Sequence, residues 1–138
     1  MFVNYPISQS PLVDWTPDLA ELPALSVRQP WAWLIVNGLK DIENRSRRTH
    51  HRGPLLIHAS KSSNDFTENI ELVKRAYGIS VPFEVDRGGI VGVVDVIDCA
   101  EIHKSKWFNG RYGWVLANPR RLKLRPCNGA LGLFRPKY

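Results

Sequence analysis

Residues 88–98, GGIVGVVDVID, read as one long apolar strand, and glycine inside a strand marks a bulge or a sharp bend. The paired glycines at its start and Gly92 therefore predict a strand that curves, as at the corner of a barrel. Such a strand needs neighbours. Short apolar or alternating runs supply them: ALSV (24–27), DIENRS (41–46), GPLLIHAS (53–60), YGWVLANP (112–119), RLKLR (121–125) and NGALGLF (128–134), punctuated by Pro119, Pro126 and Gly129. The expected fold class is α+β, a small mixed β-barrel of five to seven strands with two main α-helices.

Pro30, suited to the first helical position, and Gly38, suited to the position after the C-cap, bracket WAWLIVN as a helix of about two turns. At ~100° per residue, Trp31, Ala32, Leu34 and Ile35 share one side, whereas Trp33 and Asn37 face away. Trp33 then either packs under a loop or lines a cleft, where its ring is free for stacking. A second helix covers NDFTENIELVKRAYG (64–78), with Asn64 as N-cap, acidic residues early, Lys74 and Arg75 late, and Gly78 as terminator. Phe66, Ile70, Val73 and Tyr77 form its apolar stripe. Between that helix and the curved strand, ISVPFEVDR (79–87) is a connecting loop. Residues 1–23 are punctuated by prolines and show no period, so they are expected as an extended or partly ordered arm, leaving 24–138 as the domain.

Charge narrows the partner. Nineteen Lys and Arg against thirteen Asp and Glu give a net charge of +6, which attracts anions. Cys99 and Cys127 lie far apart without zinc spacing and read as reduced thiols of a cytoplasmic protein. The N-terminus lacks the basic and apolar regions of a signal peptide, and no apolar run approaches the ~18 residues of a membrane span. There is no GxSxG elbow, P-loop or strand-to-helix GxGxxG, and the four histidines form no ligand set. No cofactor is expected; whether a divalent metal takes part stays open.

Two segments concentrate cations. NGLKDIENRSRRTHHRG (37–53) carries Arg45, Arg47, Arg48 and Arg52 with His50 and His51, and RLKLR alternates so that Arg121, Lys123 and Arg125 share a face opposite Leu122 and Leu124. Brought together, the two would make one phosphate-binding surface; apart, each is a solvated face. In DIENR, alternation puts Glu43 and Arg45 on one face, close enough to pair. A lysine near other positive charge, as Lys40 is, is pushed towards the neutral form that a nucleophile or general base needs. His58, in an apolar strand, reads as a hydrogen-bonded core residue.

Gly38-Leu39-Lys40-Asp41-Ile42-Glu43-Asn44-Arg45 matches the GxKxxExR signature of ASCH domains, a PUA-like β-barrel family. The runs ALSVRQPWAWLIVNGLKDIENRS, RGPLLIHAS, GGIVGVVDVIDC, YGWVLANP and NGALGLF together resemble small stand-alone ASCH proteins. The resemblance implies a cleft beside the first helix lined by the signature, and RNA, single-stranded, as partner. Trp33, Arg45, Arg47, Arg48, Arg52, Lys61, Arg121, Lys123 and Arg125 are the candidate RNA contacts. Some members of the family act as ribonucleases, for which Lys40 or a loop histidine, Glu43, Tyr112 and Arg45 are the candidate machinery. A distant branch is an amidohydrolase acting on N4-acetylcytidine through the signature lysine, with threonine where this chain has Glu43. A non-catalytic RNA-binding adaptor is the third alternative.

Overall fold

The structure, a computed structural model, describes residues 10–138. In chain order the elements are β1 (Leu12–Val13), α1 (Pro17–Ala20), β2 (Ala24–Val27), α2 (Trp31–Val36), β3 (Ile42–Arg45), β4 (Gly53–Ala59), α3 (Phe66–Tyr77), β5 (Gly89–Ala100), β6 (Tyr112–Pro126) and β7 (Leu133–Phe134). The strands form one seven-stranded sheet in the order β1-β6-β5-β4-β2-β7, and β3 shares the outer edge of β6 with β1. Pairing is mixed: β1 with β6 and β2 with β4 are parallel, and the others are antiparallel. This is the expected PUA-like α+β arrangement, with α2 and α3 as the two main helices and the four-residue α1 beside them. Among the described residues the sheet curls without closing. No helix among them is long and apolar enough to cross a membrane.

β5 bends where its glycines stand. Its register against β6 shifts between Ile90 and Gly92, and β4 has a matching irregularity at Ile57/His58. A β-carbon at Gly92 would sit 2.5 Å from a Val36 methyl carbon, so the glycine is what lets α2 lie against the bend. The expected break at Pro119 does not occur: β6 runs unbroken through it. The reason is edge geometry. β3 covers Tyr112–Val115 and β1 covers Arg121–Leu122, so Pro119 sits in the gap between two edge partners, where its missing N–H costs no ladder bond. Asn118, at φ 52°, takes up the kink. NGALGLF, expected as a strand, pairs only through Leu133–Phe134; residues 128–132 instead form a loop over His58.

α3 follows its stripe, with Phe66 and Val73 buried and Ile70 and Tyr77 half-buried. Its N-cap position is Asp65, in the left-handed region, and not Asn64, and no side chain caps it. α2 begins after Pro30 and ends at Asn37. Gly38, at φ 75°, then reverses the chain: its N–H donates to Ile35 O at 3.0 Å and that of Leu39 to Leu34 O at 2.9 Å, a Schellman closure. That closure delivers Lys40 and β3 beside the helix they follow. Asn37, expected to face away, is buried and donates to Trp33 O.

The core falls into three clusters, with Leu25, Ile35, Leu55 and Ile57 in the largest and Leu34, Ile42 and Val73 joining α2, β3 and α3. Each fully buried Leu or Ile contributes ~1.5–3 kcal/mol of transfer free energy, so α2, which contacts two clusters, is firmly held. Residues 10–23 of the expected arm lie on the sheet: β1 pairs with β6, and Val13, Trp15, Leu19 and Leu22 cover Leu56, Ile90 and Leu122. Residues 1–9 of that arm lie outside the described residues.

Candidate nucleic-acid interface

β7 pairs with β2 only at Ala24 and Leu25, so Ser26 and Val27 face an open seam towards β3. The Arg45 side chain crosses this seam and donates from Nη2 to Ser26 O at 2.9 Å. Beside the crossing lies a cleft of about 620 Å³. Ser26, Val27 and Arg28 form one wall, Lys40, Glu43, Asn44, Arg45 and Ser46 the other, and Trp31 the end contributed by α2; Leu72, Ala76 and Tyr77 of α3 with Trp107 and Asn109 complete it. Tyr77 and Trp107 stack with centroids 4.0 Å apart. The Asn44 side chain fixes the Trp107 loop, donating to Trp107 O at 2.9 Å and accepting from Asn109 N at 2.8 Å.

Glu43 is the electrostatic centre of the cleft. Arg45 donates from Nε to Glu43 Oε2 at 2.9 Å, its Nη2 forms an ion pair with the same oxygen at 2.9 Å, and Lys40 Nζ lies 3.7 Å from Oε1. Lys40 is only 6% exposed and donates to Ile42 O. Burial pushes its ammonium below the ordinary lysine range; the charge of Glu43 opposes that fall, and Arg45 adds only slightly to it. The dominant cause is therefore desolvation, not the neighbouring cation that the sequence pointed to. The Lys40 ammonium also lies 5.9 Å from the Trp31 ring centroid. Chemically the cleft offers the half-buried Trp31 and Tyr77 rings, a fixed carboxylate, a half-exposed guanidinium and a buried amine whose pKa is lowered by that burial.

The family model of the ASCH domain matches residues 25–125, which includes every strand wall of this cleft. The chain belongs to the ASCH domain family. Among curated proteins it is similar to human activating signal cointegrator 1, at 41% identity over 80 residues, and to the mouse protein of the same name, at 40% over 80 residues. Each match takes in 54% of this chain and 14% of the relative, so the chain corresponds to a small part of those proteins.

Within the ASCH domain, Lys40, Glu43 and Arg45 come together as the signature requires, and the other candidates separate from them. Tyr112 pairs with Arg45 in register, but its ring lies under Arg48 and Arg111, with guanidinium carbons 5.2 and 5.4 Å from the centroid, and it does not line the cleft. Trp33 packs against the Leu34, Ile42 and Val73 cluster, and of the two tryptophans of α2 it is Trp31 that lines the cleft. In the basic loop, Arg47 is exposed, Arg48 pairs with Glu101 at 3.2 Å, and Arg52 lies 3.9 Å from Asp98. About 30 Å of strand separates Tyr112, opposite Arg45, from Arg121. There Arg121 donates to Ser10 O, Arg125 lies between Trp15 and Tyr138, and Lys123 is exposed. Lys61 stands against Gly88, away from the cleft walls. Sequence reasoning did not reach Ser26, Arg28, Tyr77, Trp107 or Asn109; only Arg28, a cation between strand and helix, carried a local signal. His58 is a bonded core residue, with Ser26 Oγ at 3.0 Å from Nδ1 and Cys127 O at 2.9 Å from Nε2. Among the described residues no His, Cys, Asp and Glu side chains group to hold a metal ion.

Proposed function

We propose that this ASCH domain binds single-stranded RNA in the seam between β2 and β3. The observation that carries the reading is the grouping of the half-buried Trp31 and Tyr77 rings, Tyr77 backed by Trp107, with the cations Arg28 and Arg45 around one cavity. Unstacked bases are held on aromatic rings and phosphates on arginines, and a narrow concave site admits a strand where it excludes a duplex. The two free cysteines, Cys99 and Cys127, fit a reducing, cytoplasmic setting. Fluorescence anisotropy with an end-labelled single-stranded RNA tests it: binding should weaken steeply with salt and fall at least about tenfold in Trp31→Ala. Salt-insensitive binding, or equal binding by the variant, refutes it.

A second reading, catalysis, is favoured by Lys40. Its ammonium is buried at the cleft beside Glu43 and driven towards neutrality, as a base or nucleophile requires. The substrate is then the bound RNA or a modified nucleoside such as N4-acetylcytidine. Wild type and Lys40→Ala are incubated with labelled RNA and with N4-acetylcytidine, each with and without EDTA. Turnover lost in the variant assigns chemistry to Lys40, and the EDTA arms decide metal dependence; intact substrate throughout leaves a binding module.

A further inference from the structure

We propose that a second nucleotide subsite adjoins the cleft across Ser26, so that the protein holds a dinucleotide step with its phosphodiester on the free edge of Arg45. The proposal rests on the RNA-binding reading and extends it. A separate cavity of about 350 Å³ is walled by Ser26, His58, Ser60 and Lys61 and by the loop from Cys127 to Leu131. Ser26 lines both cavities. Both volumes fall in the ~300–1,000 Å³ range of small-ligand sites, so each has room for one nucleoside.

Arg45 lines the first cavity and donates to Ser26, the residue that the two cavities share. Its Nε and Nη2 are engaged by Glu43 and Ser26 O, and Nη1 has no hydrogen-bond partner among the described residues. A guanidinium anchored at Nε and Nη2 holds Nη1 in a fixed plane, a donor placed for a phosphate oxygen. The second cavity is also preformed. Both His58 nitrogens are bonded, and a β-carbon at Gly129 would sit 2.8 Å from the imidazole, so ring and loop are packed together without spare space. Its rim carries complementary groups for the rest of a nucleotide. Leu131 is fully exposed with its side chain in solvent, an apolar face for a base, and the exposed Lys61 supplies a cation for the next phosphate. Among the described residues no acid lines this cavity, and Glu43, the acid of the cleft, is paired with Arg45.

The test is a length series, adenosine monophosphate, ApA and ApApA, titrated by calorimetry into wild type and into Lys61→Ala/Leu131→Asp, both changes lying on exposed side chains. Wild type should gain about tenfold in affinity from the monophosphate to ApA, the worth of an apolar contact for the second base together with the phosphodiester on Arg45. The double variant should bind the monophosphate as wild type does and lose that gain. ApA binding no tighter than the monophosphate, or a gain that survives in the variant, overturns the second subsite while leaving the cleft in place. Failure of wild type to bind any of the three overturns both readings.

Discussion

Arg45 lies across an open seam with one guanidinium edge turned to a cavity, whereas Arg125, far along the same sheet, is closed between the Trp15 and Tyr138 rings at 4.4 and 4.3 Å. Both belong to runs of cations that sequence alone cannot tell apart. Arg121, two turns of the strand pleat before Arg125, is likewise occupied, donating to Ser10 O at 2.9 Å. One region presents its donors to a concavity, and the other uses them to fasten chain ends to the sheet. A cation can bind phosphate only with the donors its own protein leaves over.

The comparison breaks first at Glu43. Replacing it in Glu43→Gln leaves Lys40, 6% exposed, and Arg45 without their shared counter-charge, and stability should fall by about 2–4 kcal/mol in urea unfolding, with RNA affinity lost alongside. A change under ~0.5 kcal/mol would mean that Glu43 organises nothing. Arg45→Ala should cost RNA affinity about tenfold, the worth of a charge-assisted phosphate contact, and should lower the salt slope. Arg125→Ala is its mirror: about 1 kcal/mol of stability lost with the two aromatic contacts, and RNA affinity within about twofold. Equal losses of affinity in the two variants would erase the distinction between the regions.

Lys40 sharpens the comparison through pH. Because its folded-state pKa is lowered, the protonated amine is disfavoured by folding; the cost is present at neutral pH and is relieved as pH rises towards the ordinary lysine value. Wild type should therefore gain stability relative to Lys40→Met on going from neutral to alkaline pH, read as converging or crossing thermal midpoints. A constant difference would contradict the burial of a charged amine. Smallest of all, Lys123→Ala should shift stability by less than ~0.5 kcal/mol and leave binding unchanged, since that side chain is exposed and makes no ion pair among those found in the described residues.

The features legible in sequence were the periodic ones. The glycines of β5 marked its bend, the stripe of α3 marked its buried face, and alternation in β3 placed Glu43 beside Arg45. The continuity of β6 through Pro119 was not legible, because it depends on which partners cover the strand's edge. The four-residue α1 and two-residue β1 are too short to carry a period and exist through what they pack against. The cleft was half legible. Its signature wall is contiguous in sequence, but Arg28, Tyr77 and Trp107 reach it from separate elements. A two-turn helix also gives too coarse an angle to choose between Trp31 and Trp33.

The unclosed seam has one more consequence. A bare strand edge is where a second chain adds to a sheet, and edges long enough to do so lead to aggregation. Beyond β7, β2 offers only Ser26 and Val27, and the Ser26 carbonyl is already taken by Arg45. Two residues with both carbonyls taken, that of Val27 by the Ser60 N–H at 3.0 Å, are too short a template for another strand. The gap beside the cleft is thus guarded against intruding backbone by the same arginine that lies across it.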